Sequence, residues 1–139
     1  MNCAVRYFSR GGNTEKLANA AAEALGVKAE EISVPLSEKV DILFLGNSMY
    51  AGKPDESVVE FIKKEAGSIG TIVCFGSSAS LRSTHKKIKE VADECGVRVE
   101  ESSFVCPGSF LFMHKGRPGE KDLADIADFA KDMAFTLSK

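Results

Sequence analysis

Residues 3–18 read Cys3-Ala4-Val5-Arg6-Tyr7-Phe8-Ser9-Arg10-Gly11-Gly12-Asn13-Thr14-Glu15-Lys16-Leu17-Ala18. An apolar run interrupted only by Arg6 passes into a glycine-containing turn. Beyond the turn, Leu17, Ala18, Ala21, Ala22 and Leu25 recur at the spacing of one helix face. The stretch therefore predicts a strand, a tight turn and a helix. Gly11 and Gly12 let the backbone adopt positive φ and come close to a ligand. The unpaired N–H groups at the helix start, together with the helix dipole, favour an anion there. Ser9, Asn13 and Thr14 add short donors suited to phosphate oxygens. The plainer alternative is an ordinary strand–helix turn capped by Asn13 or Thr14. Neither the G-x-x-x-x-G-K-[ST] phosphate loop nor the dinucleotide G-x-G-x-x-G pattern occurs.

Outward from this unit the same alternation repeats. Val27 to Ser33 is a weaker, more polar run, whereas 41–46 and 71–76 are nearly solid apolar blocks, as strands covered on both faces require. Val97 to Val105 alternates less cleanly and suits a sheet edge. Between these runs, Val58, Phe61 and Ile62 form one helical stripe, and Ile88, Val91, Ala92 and Cys95 another. A third stripe comprises Leu123, Ile126, Ala127, Ala130, Met133, Ala134 and Leu137. Gly26 and Gly96 stand where helix C-caps are expected, and Pro54-Asp55 and Pro118 where helices begin. Five strands alternating with helices predict an α/β fold, a doubly wound parallel sheet with helices on both faces, formed as one domain over residues 1–139.

The 139 residues carry 18 basic and 20 acidic side chains, a net charge of −2, which argues against a general nucleic-acid binder. Cys3, Cys74, Cys95 and Cys106 show no C-x-x-C spacing, which argues against a zinc site or a vicinal redox pair; Cys3 and Cys74 read as small buried hydrophobes. No signal-like N-terminal pattern or membrane-length apolar run is present, so the expected setting is cytoplasmic. His85 and His114 have no partner at triad or metal spacing, and no catalytic or metal-ligating residue is expected. Asp41 and Asp55 do not make the acidic cluster of a phosphoryl-accepting receiver.

Phe8, Ser9, Gly12, Thr14 and Ala18 fit the aromatic-[Ser/Thr]-x-x-Gly-x-Thr-x-x-x-Ala signature of flavodoxins, and the chain resembles a short-chain flavodoxin throughout its element order. The resemblance implies a strand order of 2-1-3-4-5 and a noncovalent FMN at the carboxyl ends of the strands, a rule of ligand placement for which flavodoxin is a standard example. It places the FMN phosphate on Ser9, Arg10, Gly11, Gly12, Asn13 and Thr14. A second loop, Gly46-Asn47-Ser48-Met49-Tyr50-Ala51-Gly52, and a third, Gly76-Ser77-Ser78-Ala79-Ser80, would complete the flavin site, with Ser48, Met49, Tyr50, Ala51, Gly52, Ser77, Ser78, Ala79 and Ser80 as the binding residues. Tyr50 is suited to stack on a ring face, and the third loop lacks the aromatic residue many flavodoxins have there. Arg10 is a charge in a loop that is usually uncharged in the family.

The function implied is electron transfer between redox partner proteins through FMN. The alternatives are an FMN-dependent reductase of quinones or another small acceptor, and a flavoprotein that docks on and activates a partner enzyme. Around the expected flavin end, Arg10, Lys53, Arg82, Lys115 and Arg117 outnumber Asp55 and Glu56. Beside them lies the apolar run Phe110-Leu111-Phe112-Met113. This arrangement reads either as a docking rim for a partner with an acidic surface or as solvated charges beside the end of the core.

Overall fold

The computed structural model describes residues 2–9, 12–48, 55–77, 85–106 and 119–138. Strand β1 (Cys3–Tyr7) is followed by helix α1 (Asn13–Leu25), the short strand β2 (Ala29–Glu31) and strand β3 (Val40–Ser48). Then come α2 (Glu56–Glu65), a 3-10 turn at Ala66–Ser68, β4 (Ile69–Ser77), α3 (His85–Glu94), β5 (Arg98–Cys106) and α4 (Glu120–Leu137). The strands form one parallel sheet in the order β2-β1-β3-β4-β5. The order reverses between β1 and β3, in agreement with the flavodoxin resemblance.

The solid apolar blocks form the central strands because both of their faces are covered. In register, Val5, Phe44 and Val73 stand side by side across β1, β3 and β4, all inside the layer that α1 and α4 close. Leu43, Leu45, Ile72 and Cys74 point the other way, into a second layer with Val58, Phe61 and Ile62 of α2 and Ile88 and Ala92 of α3. The alternation of neighbouring residues between faces comes from the two-residue period of a strand. Gly26 ends α1 in the left-handed region, with Val27 N–H bonded to Ala22 O at 3.0 Å; Gly96 and Val97 end α3 in the same way, on Ala92 O at 2.9 Å.

The first edge strand is shorter than the sequence predicts, whereas β5 takes the edge position expected for it and adds an irregularity. Only Ala29–Glu31 of the polar run pairs with β1. The segment after β2 is held by Arg6, whose buried guanidinium donates to Val34 O at 2.9 Å and Pro35 O at 3.2 Å and pairs with Glu30 at 3.4 Å. A charged residue in a core strand thus braces the connection from β2 to β3. On the other edge, the pairing of β4 with β5 shifts between Ile72–Val99 and Cys74–Ser103, leaving Glu100, Glu101 and Ser102 in a bulge. The Glu100 carbonyl lies 2.7 Å from His85 Nε2; since a carbonyl only accepts, Nε2 carries the proton. His85 therefore ties the start of α3 to the edge strand. Helix α2 begins after Asp55, whose carboxylate caps it by accepting from Ser57 N–H at 3.0 Å, so the helix starts two residues later than a proline at its first position would place it. Helix α4 begins after Gly119, whose N–H donates to the buried Asp122 carboxylate at 2.9 Å.

Candidate functional site

At the carboxyl edge of the sheet, β1 turns into α1 through Gly12, at φ 84° and ψ −5°. A β-carbon on Gly12 would meet nothing within 4 Å, so it is the backbone conformation that calls for glycine here. Gly12 is itself the N-cap, in place of Asn13 or Thr14, and its N–H donates to Ser9 Oγ at 2.9 Å. Ser9 thus closes the turn as an acceptor and keeps its own hydroxyl proton to donate outward. The first helical bond runs from Lys16 N–H to Gly12 O at 3.1 Å. Asn13 is half-buried in the first turn.

Thr14 is placed differently from a surface donor. Its side chain is fully buried, and its methyl lies 3.0 Å from the point where Gly46 would carry a β-carbon. A side chain at Gly46 would also overlap the Phe75 ring. Thr14 and Phe75 together fill the space that glycine leaves in β3. Next to Thr14, Glu15 accepts a 3.0 Å hydrogen bond from Tyr7 Oη, joining the end of β1 to the first turn of α1. Burial, reinforced by this bond and by the carboxylate charge, pushes the Tyr7 phenol up to about 12.

The register of β3 on β4 sets Asn47 opposite Gly76 and Ser48 opposite Ser77. The second and third expected loops therefore leave the sheet as neighbours. Any side chain on Gly76 would overlap the Asn47 carbonyl oxygen, so close approach of the two strands requires glycine. Arg10 and Gly11 of the first loop, Met49, Tyr50, Ala51 and Gly52 of the second, and Ser78, Ala79 and Ser80 of the third lie outside the described residues. The same holds for Lys53, Arg82, Phe110, Leu111, Phe112, Met113, His114, Lys115 and Arg117.

Asn47 falls within the second loop that the resemblance implies, but the sequence reading gives it no individual binding role. It is 1% exposed, and neither its side-chain oxygen nor its nitrogen has a hydrogen-bond partner among the described residues. By strand alternation it continues the row of Leu43 and Leu45 on the α2 and α3 side. A signal exists in the sequence: a carboxamide takes the place of an aliphatic residue at an inward position. A buried, unpaired polar group of this kind calls for a specific explanation.

A separate cleft of about 580 Å³ opens beside Phe8, Ile32, Pro35, Glu60 and Phe61, between the ends of the first two strands and α2. Gly12, Thr14 and Asn47 are not in its lining. Cys3, Cys74 and Cys95 are free thiols; Cys74 is buried as expected and Cys3 half-buried. Desolvation pushes the Cys74 thiol up to about 12, which leaves it unreactive in the folded state. Among the described residues no three His, Cys, Asp or Glu side chains gather as a metal site would need, and no helix is long and apolar enough to cross a membrane.

Comparison with solved structures identifies the fold. An archaeal flavodoxin superimposes with a TM-score of 0.80 at 22% identity, covering 100% of both chains. A short-chain flavodoxin associated with a non-canonical PDU bacterial microcompartment matches with a TM-score of 0.68 at 21% identity, over 99% of each chain. The fold is flavodoxin-like. In sequence, an uncharacterized protein of Methanocaldococcus jannaschii is 24% identical over 135 residues, 87% of this chain and 89% of that protein. No family model matches the chain.

Proposed function

We propose that this protein binds FMN noncovalently and carries electrons between redox partner proteins. The observation that carries this reading is the pair of features at the carboxyl edge where the strand order reverses. One is the glycine-capped start of α1, closed by Ser9; the other is the set of narrow ends of β3 and β4 at Gly46, Asn47 and Gly76. Amides at a helix start suit a phosphate dianion. A buried carboxamide left unpaired at the same edge suits a polar ligand seated over the strand ends. The residues present fit a flavin nucleotide.

In this reading Ser9 to Thr14 hold the phosphate, with Ser9 donating its remaining proton and Arg10 adding a charge. Thr14 takes part from the first turn of α1. Ser48 to Gly52 and Ser77 to Ser80 frame the ring, with Tyr50 against one face. The flavin, when bound, supplies one- and two-electron transfer, and the protein supplies binding, orientation and exclusion of water. The basic residues of the rim favour a partner with an acidic docking surface, steered electrostatically.

The test is the visible absorption spectrum of the purified protein before and after addition of FMN, followed by calorimetric titration with FMN and riboflavin. FMN should bind much more tightly, because each hydrogen bond to the charged phosphate contributes roughly 1.5–3 kcal/mol. Equal affinities, or no change in the flavin spectrum, would overturn the proposal.

A further inference from the structure

The Asn47 carboxamide is buried in the central strand, yet no described residue pairs with either of its polar atoms. The surrounding residues on its side of the sheet are apolar: Leu43 and Leu45 precede it on β3, and Cys74 lies on the neighbouring strand. A leucine or cysteine in its place would complete that layer at no polar penalty. Leaving a donor and an acceptor unpaired inside the protein is unfavourable unless something that enters later completes them.

Its position narrows what that is. Asn47 is one residue from the end of β3, paired with Gly76, whose lack of a side chain lets the two strand ends approach closely. The glycine-capped turn that suits a phosphate leaves the end of β1, the neighbouring strand, and adjacent strands lie about 4.8 Å apart. A ligand anchored there by its phosphate and extending across the sheet edge presents to β3 the atoms nearest that phosphate. In a flavin nucleotide these belong to the polyhydroxyl chain, each of whose hydroxyls donates and accepts, as does a carboxamide. We infer that Asn47 is a binding residue for the polyol segment of the cofactor, and that its unpaired carboxamide trades stability of the free protein for affinity. This rests on the FMN reading above.

Opposite signs in two measurements make the inference testable. Replacing Asn47 with Leu, a similar shape without polar atoms, should raise the melting temperature of the flavin-free protein. In the same variant FMN and riboflavin, which share the polyol, should each bind about tenfold more weakly, and lumiflavin, which has the ring but no polyol, should compete as it does with the wild type. Asn47→Ala, which removes the polar atoms without adding bulk, should repeat the affinity losses even if Leu fits poorly. A lower melting temperature for the flavin-free Asn47→Leu protein together with unchanged FMN affinity in Asn47→Ala would make Asn47 a structural residue and overturn the inference. Equal loss of lumiflavin binding would overturn the polyol assignment. If wild-type protein binds no FMN, the cofactor reading itself falls and this inference with it; if wild-type protein binds FMN and both variants bind it equally well, this inference alone fails.

Discussion

The two faces of the sheet end differently at the carboxyl edge. On the α1 and α4 side the core is packed to its last residue, where the Thr14 methyl and the Phe75 ring meet over Gly46. On the α2 and α3 side the same strand ends in Asn47, buried among apolar neighbours with its carboxamide unpaired among the described residues. One glycine, Gly46, admits side chains from the core; the other, Gly76, admits a neighbouring backbone. A glycine at the carboxyl edge is therefore not by itself a binding feature. The Thr14 methyl helps to close the core, whereas Asn47 carries the unsatisfied polarity.

The largest effects should come from filling the two glycines. Gly76→Ala sets a methyl against the Asn47 carbonyl, which as backbone cannot move aside; overpacking of this kind costs about 1–3 kcal/mol, and the upper end is expected. Gly46→Ala meets side chains, the Phe75 ring and Thr14, which can partly relax, so chemical denaturation should find it the milder of the two. The reverse ranking would undo the distinction between a backbone contact and a side-chain contact.

Next in size are changes in the turn. Gly12→Ala has free space but the wrong φ, and should lose roughly 1–2 kcal/mol from that cause alone. Gly12→Asn, better tolerated in the left-handed region, should recover part of the loss. Ser9→Ala removes the acceptor for Gly12 N–H and should lose about 1 kcal/mol, while weakening FMN binding relative to Lys16→Ala. Equal FMN affinity in Ser9→Ala and wild type would confine Ser9 to holding the turn.

The smallest effect at neutral pH belongs to Cys74, on the α2 and α3 face. Burial raises its thiol to about 12 from an ordinary value of 9.0, so the folded state holds it neutral. Stability from this group is fully present below about pH 9 and is lost as pH rises toward 12, because the unfolded thiol ionises first. The Tyr7 phenol, also raised to about 12, adds a loss of the same sign above about pH 10. Melting temperatures of wild type and Cys74→Ala should therefore converge as pH rises from about 8 to about 11. A constant difference would show that Cys74 contributes packing alone.

The legibility of each feature in the sequence depends on which interactions fix it. Solid apolar blocks at 41–46 and 71–76 suit only strands covered on both sides, and the glycine turn after Phe8 leads into an unambiguous helical stripe. These signals are local and periodic, and the structure agrees with them in element order; the sheet order agrees with what the flavodoxin resemblance implies. The edges are less legible, because edge strands have a partner on one side only. The polar run at 27–33 yields three paired residues, and the last strand bulges at 100–102.

The alternation of strand and helix, the position of the first turn and the need for positive φ within it are properties of the amino-acid sequence alone. Each is set by chemistry within a few residues: hydrophobic period, capping and the missing β-carbon of glycine. Three other features emerge only in the packed fold: Arg6 braces the segment after β2, Thr14 faces inward over Gly46, and Asn47 is buried without a partner among the described residues. Those outcomes depend on which residue of a distant strand or helix stands opposite, and register between strands is fixed by the whole packed layer. A carboxamide becomes an unpaired polar group only when the packed fold has closed over it without supplying a partner.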